Sequence, residues 1–208
     1  MTPISAITGA SRPNSTARLM RSPVGDLFVD LVAALDHVGV EWYLFGAQAA
    51  ILHGSARLTA DVDVTVRLPA AISPQSLVGA LVDHGFTARF PDPAFIERTR
   101  VIPVVHTRSS VPVDVVLAGP GIEDRFFDRV QLRTVEDVTV RVASAEDIIV
   151  MKILTGRAKD VEDVDALLQA QRAHLDVSYV REVLTLLESA LSQSDLLPAF
   201  EKALERVR

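Results

Sequence analysis

Apolar residues recur at a 3.6-residue spacing over 26–38, where Leu27, Leu31, Ala34, Leu35 and Val38 form one stripe. With Gly39 following as a terminator, this pattern predicts a helix. β-Formers crowd residues 40–44, which read as a strand; Gly46 breaks it, and residues 47–52 make a short apolar helix stopped by His53-Gly54. Over 62–68 the period becomes two, with Val62, Val64 and Val66 alternating against Asp63, Thr65 and Arg67. That predicts a strand with one apolar face and one face carrying the acid. Ser73 opens a helix reaching His84, Gly85 ends it, and residues 86–90 read as a strand. Pro91-Asp92-Pro93 predicts a turn, because each proline fixes φ and lacks a donor. Residues 101–106 and 111–117 read as a hairpin across a polar turn, 123–130 as a helix and 138–142 as a short strand.

From residue 144 onward the pattern is helical. Ser144-Ala145-Glu146-Asp147 resembles a capping box opening a helix to about Gly156, and Asp160, with Asp163 three on, opens another to about Ala173. Residues 178–192 and 196–208 complete the set. The fold class is therefore α/β (α+β), a mixed sheet with flanking helices followed by a helical part. Three units are expected: a flexible segment over 1–25, rich in Ser, Thr, Pro, Gly and Ala and free of acids, an α/β domain over 26–142, and a helical domain over 143–208.

Composition narrows the class. Of 208 residues 49% are hydrophobic and 23% charged, the balance of a soluble globular protein. No apolar run approaches the roughly 18–20 residues of a membrane span, so no membrane partner is expected. Arg12, Arg18 and Arg21 precede no apolar run with a cleavage site, unlike a secretory signal. The absence of cysteine excludes disulfides and thiolate metal sites and fits a cytoplasmic location. A net charge of −6 argues against a general nucleic-acid binder, and no histidine pair has the spacing of a zinc site.

Chemistry concentrates in residues 45–65, FGAQAAILHGSARLTADVDVT. Asp61 and Asp63 stand two apart at a strand start, so both side chains project from one face. Two such carboxylates repel, and a divalent cation with a preference for hard oxygen ligands, Mg²⁺, resolves the conflict; the plainer reading is a solvated strand end. Asp114 interrupts an apolar strand, Val113-Asp114-Val115-Val116-Leu117. Beside the Asp61–Asp63 strand it would complete a triad able to hold two metal ions; on an edge strand it would only face solvent. Gly46 and Ala47 leave room for a phosphate at the following helix start. Arg57 and Thr59 offer donors to phosphate or stabilise their own loop. Lys152 lies among Ile148, Met151 and Thr155, as a ligand or as a lysine whose stem covers apolar surface. His53 caps a helix or touches substrate.

Gly46-Ala47, thirteen residues, Asp61-Val62-Asp63 and then the distant Asp114 resemble the nucleotidyltransferase superfamily of the polymerase-β type. The longer pattern Gly-Ala-x-Ala-x-x-x-His-Gly-x-x-Arg-x-Thr-x-Asp-h-Asp is similar to its minimal bacterial members, such as the AbiEii/AbiGii toxin group, over about residues 26–170. The resemblance implies Mg²⁺-dependent transfer of a nucleoside monophosphate from an NTP, ATP included, to an acceptor hydroxyl on RNA, protein or a small molecule. Two metal ions are implied, with Mn²⁺ as a substitute, held by Asp61, Asp63 and Asp114 as the catalytic acids. Gly46, Ala47, Arg57, Thr59 and Lys152 would bind the nucleotide, and an antitoxin protein is an implied partner. Ala47 stands where the superfamily has a second Gly or Ser. The alternative is a catalytically silent nucleotide-binding or interaction module of the same fold.

Overall fold

The computed structural model describes residues 21–56, 59 and 61–208. Most of the expected flexible segment, residues 1–20, and Arg57 lie outside these. Helix α1 spans Pro23–Val38 and starts before the apolar stripe does. Ser22 caps it by accepting from the Gly25 N–H, and Pro23 sits at the first helical position, where its missing N–H costs nothing. Strand β1 (Glu41–Phe45) runs directly into α2 (Gly46–Leu52), and β2 (Val62–Arg67) and α3 (Pro74–Asp83) follow.

Beyond β3 (Phe86–Ala88) the expected turn at residues 91–93 is instead the start of a helix, α4 (Pro93–Thr99). Asp92 accepts from the Ala94 N–H and Pro93 occupies the first position, so the same residues that punctuate a loop also begin a helix. The hairpin of β4 (Val101–His106) and β5 (Pro112–Leu117) is antiparallel as expected. After α5 (Ile122–Asp128) comes a strand that the pattern did not mark, β6 (Gln131–Val135), paired antiparallel with β7 (Val138–Val142). Its sequence QLRTV is half polar because it forms one edge of the sheet. Helices α6 (Ala145–Thr155), α7 (Ala158–Ala170), α8 (Val177–Leu191) and α9 (Leu196–Arg206) complete the chain.

The strands form one mixed sheet in the order β3-β4-β5-β2-β1-β7-β6. β2 pairs antiparallel with β1 and parallel with β5, while β1 pairs parallel with β7. One continuous core joins sheet and helices, from Leu31 and Leu35 through Leu44, Val64 and Val115 to Ile149, Val164, Leu167, Val180 and Phe200. The buried cluster thus continues from the sheet into the C-terminal helices, with α6 and α7 packed on α2. No helix among the described residues is long and apolar enough to cross a membrane.

Candidate functional site

The site begins where β1 turns into α2. Gly46 has φ +67°, a left-handed conformation that glycine adopts at little cost. A Cβ at this position would also lie 2.9 Å from Asp63 Cγ and overlap the carboxylate oxygen. Glycine is required here twice over, by backbone conformation and by the close approach of an acid.

Asp63 on β2 is in register with Phe45 of β1 on one side and with Asp114 of β5 on the other. Asp114 is in turn opposite Pro103 of β4. Because β5 is an interior strand, Asp114 is not an edge residue, and the parallel register sets it beside Asp63. Asp61, two residues ahead of Asp63, projects from the same face. Arg89, just past β3, continues the row: its N–H donates to the Pro103 carbonyl at 2.8 Å and its guanidinium pairs with the Asp114 carboxylate. Nothing in its local sequence marks Arg89, since its partner lies 25 residues away and two strands across.

These acids open on a cleft of about 370 Å³. Phe45, Gly46, Ala47, Asp61, Asp63 and Asp114 line its sheet side; Asp147, Ile148, Met151 and Lys152 of α6, with Thr155, Arg157, Lys159 and Asp160, line the helical side. Thr59 is not part of the lining; its hydroxyl donates to the Asp61 carboxylate. His53 is also elsewhere. Its Nε2 bonds the Ala143 carbonyl at 2.8 Å, its own carbonyl accepts from Gln171 at 2.7 Å, and burial holds its pKa below the usual value, so it ties α2 to the helical part as a neutral ring.

Lys152 reaches the cleft wall, but its charge is committed. Its buried ammonium donates to Asp163 at 2.6 Å and to Asp160 at 3.2 Å. Asp160 also accepts from Arg157 Nε at 2.6 Å and from Thr155 at 2.8 Å, while Ser55 donates to Asp163 at 3.2 Å. Burial alone would raise the Asp160 pKa, yet its bonds to Arg157, Thr155 and Lys152 bring it down to about 2. Among the described residues, the exposed cations lining the cleft are Arg157, itself paired with Asp160, and Lys159, both at the start of α7. They belong to a cluster that reads locally as a helix start, which hid their placement opposite the acids.

Asp63 behaves as an undercompensated acid. Burial first, then the neighbouring charges of Asp61 and Asp114, push its pKa up to about 6, against the opposing pull of Lys152 and Arg157. Asp147, whose N–H donates to the Ser144 cap of α6, is likewise buried on the cleft wall and raised to about 6, chiefly by desolvation. Its carboxylate accepts from Ser144 and, at 2.8 Å, from the Tyr179 hydroxyl. As oriented, no three His, Cys, Asp or Glu side chains among the described residues stand together as metal ligands. The donor set still suits a hard divalent cation: three carboxylates share one face, and the innermost has its pKa raised to about 6 by burial and by the two other acids.

A family model described as "nucleotidyltransferase of unknown function" (DUF6036) matches residues 29–208. No curated protein matches the chain. The solution structure of the antibiotic-resistance factor ANT(2″)-Ia aligns with a TM-score of 0.55 at 15% identity, covering 81% of this chain and 95% of its own. The crystal structure of ANT(2″)-Ia in complex with adenylyl-2″-tobramycin gives 0.54 at 15% identity, covering 79% and 97%. An antigenic nucleotidyltransferase-like protein from Paracoccidioides brasiliensis gives 0.52 at 17% identity, covering 84% and 92%. At these identities the likeness is one of fold.

Proposed function

We propose that this chain, which belongs to the DUF6036 family of nucleotidyltransferases, transfers a nucleoside monophosphate from an NTP to an acceptor hydroxyl in the cleft between β2, β5 and α6. The observation that carries the proposal is the register of Asp63 with Asp114, with the Gly46 backbone pressed against Asp63. Asp61, Asp63 and Asp114 would hold Mg²⁺, or Mn²⁺ in its place, which supplies positive charge to the triphosphate and to the acceptor oxygen.

The chain's own groups do the positioning. Asp114 lies on the acceptor side and holds the attacking hydroxyl in line with the α-phosphorus. The acceptor oxygen forms a bond to that phosphorus as the bond to the bridging oxygen breaks, pyrophosphate leaves, and the hydroxyl proton passes to solvent. Gly46 and Ala47 offer backbone N–H groups where a side chain would obstruct the phosphates. Arg157 and Lys159 face the leaving pyrophosphate with charge that is not fully buried. Lys152 acts mainly by fixing Asp160 and, through it, Arg157. Ala47 provides no hydroxyl to the triphosphate, so the backbone carries that contact alone.

A small hydroxylated molecule is the first acceptor class to assay. The net charge of −6 opposes an extended RNA surface, and the cleft is a compact one. ANT(2″)-Ia, a neighbour in fold, is the protein whose complex contains adenylyl-2″-tobramycin. Toxin-like modification of RNA or protein, with an antitoxin partner, enters the same assay as further acceptors. An NTP substrate and a sequence without cysteine fit a cytoplasmic setting. The test is label transfer from each α-labelled NTP with Mg²⁺ to pooled small molecules, RNA and protein, run beside Asp63→Asn. Transfer by wild type and none by the variant is expected; equal labelling by both would sink the mechanism.

A further inference from the structure

Resting on that reading, the row of residues across the sheet carries one more step. Two of the three acids are engaged in very different ways. Asp61 accepts from the Thr59 hydroxyl, a neutral donor that competes little with a cation. Asp114 is instead paired with the full positive charge of Arg89. We propose that Arg89 is a resident counter-ion for Asp114, a positioning residue that keeps the third acid from the divalent site until nucleotide and metal arrive.

The geometry favours this over a brace for the fold. Strand β3 is already held without the Arg89 side chain, by the Arg89 N–H on the Pro103 carbonyl and by Ala88 in register with Val104. The side chains of Arg89 and Asp114 are 35% and 39% exposed, and an ion pair so open to water contributes little to stability. Pro103, the residue between them in the row, has no polar side chain with which to bind either partner. The guanidinium therefore crosses an apolar strand to reach an acid that the chemistry needs free. The consequence is an order of assembly: the Asp61–Asp63 pair is open to a cation at once, and Asp114 only after Arg89 lets go.

The test is a titration of the full chain with Mn²⁺, following free Mn²⁺ by electron paramagnetic resonance, with and without a non-hydrolysable ATP analogue. It compares wild type, Arg89→Gln, Arg89→Lys, Asp114→Asn and the Arg89→Gln/Asp114→Asn double variant. Without nucleotide, Arg89→Gln should bind Mn²⁺ about three-fold more tightly than wild type, the size expected for losing one solvent-exposed competing charge. Arg89→Lys, which keeps the charge, should stay close to wild type, and the gain should vanish in the Asp114→Asn background. Equal or weaker Mn²⁺ affinity in Arg89→Gln, or an equal gain without Asp114, overturns the counter-ion role and leaves the nucleotidyl-transfer reading standing. Failure of every form to bind Mn²⁺, with or without the analogue, overturns both.

Discussion

Asp63 and Asp114 face each other in register on the parallel strands β2 and β5, with Phe45 and Pro103 filling the same row on either side. Strands in a sheet lie about 4.8 Å apart, so backbone hydrogen bonds hold the two residues as neighbours on one face. The sheet thus sets the Asp114 charge close enough to help raise the Asp63 pKa.

Burial of Asp63, reinforced by repulsion from its neighbouring acids, has a pH signature. Asp63 is raised from 3.8 to about 6, so the folded state holds its proton more tightly than the unfolded chain does. Stability from this group is therefore full below about pH 4 and is lost as pH rises through about 6. Asp63→Asn, which cannot ionise, should remove that loss. In thermal melts without divalent ions the variant should match wild type at pH 4 and exceed it at pH 8, by about 1–3 kcal/mol. Asp147 titrates over the same range, so part of the wild-type slope should persist in the variant. A variant less stable than wild type at pH 8 would refute the assignment.

Gly46→Ala tests the contact between backbone and acid. The added methyl meets Asp63 and sits on a residue with φ +67°, so strain of about 1–2 kcal/mol or more is expected even if the carboxylate shifts. A shifted carboxylate should lower transfer by at least about ten-fold at saturating NTP. Turnover at the wild-type rate would show that the close approach is incidental.

Lys152→Met separates a structural lysine from a phosphate ligand. Removing the ammonium leaves Asp160 and Asp163 buried with one cation fewer, which typically costs about 3–5 kcal/mol. The melting temperature should fall sharply. A variant with an unchanged melting temperature and only a raised KM for NTP would assign Lys152 to the nucleotide instead.

Lys159→Ala should show the opposite behaviour. The residue is exposed on the cleft rim, so its loss should leave the melting temperature nearly unchanged and raise KM for NTP about five-fold, the value of one charge-assisted contact. An unaltered KM would place the triphosphate elsewhere in the cleft.

Local sequence was enough for the elements that bury one face. The stripe of α1, the alternation of β2 and the hairpin of β4 and β5 follow from periods of 3.6 and 2, and the structure contains each of them. It failed where one residue type has two uses. Asp92-Pro93 reads as a turn but starts α4, because proline is favoured both in turns and at the first helical position. Strand β6 carries little apolar signal because an edge strand has a solvated side.

The chain's own order of residues determined the chemical inventory: Gly46 before a helix, Asp61 and Asp63 on one face, and an acid at 114 inside an apolar strand. Those follow from side-chain chemistry and from the two-residue period of a strand, which are local properties. Only the tertiary structure decided what each residue faces. Strand order put Asp114 beside Asp63, bound Arg89 to Asp114, and set Arg157 and Lys159 across the cleft; the packing of α6 on α7 drew Lys152 onto two buried acids. Strand pairing and helix packing join residues far apart in sequence through burial and backbone hydrogen bonds, and no short window of sequence contains both partners.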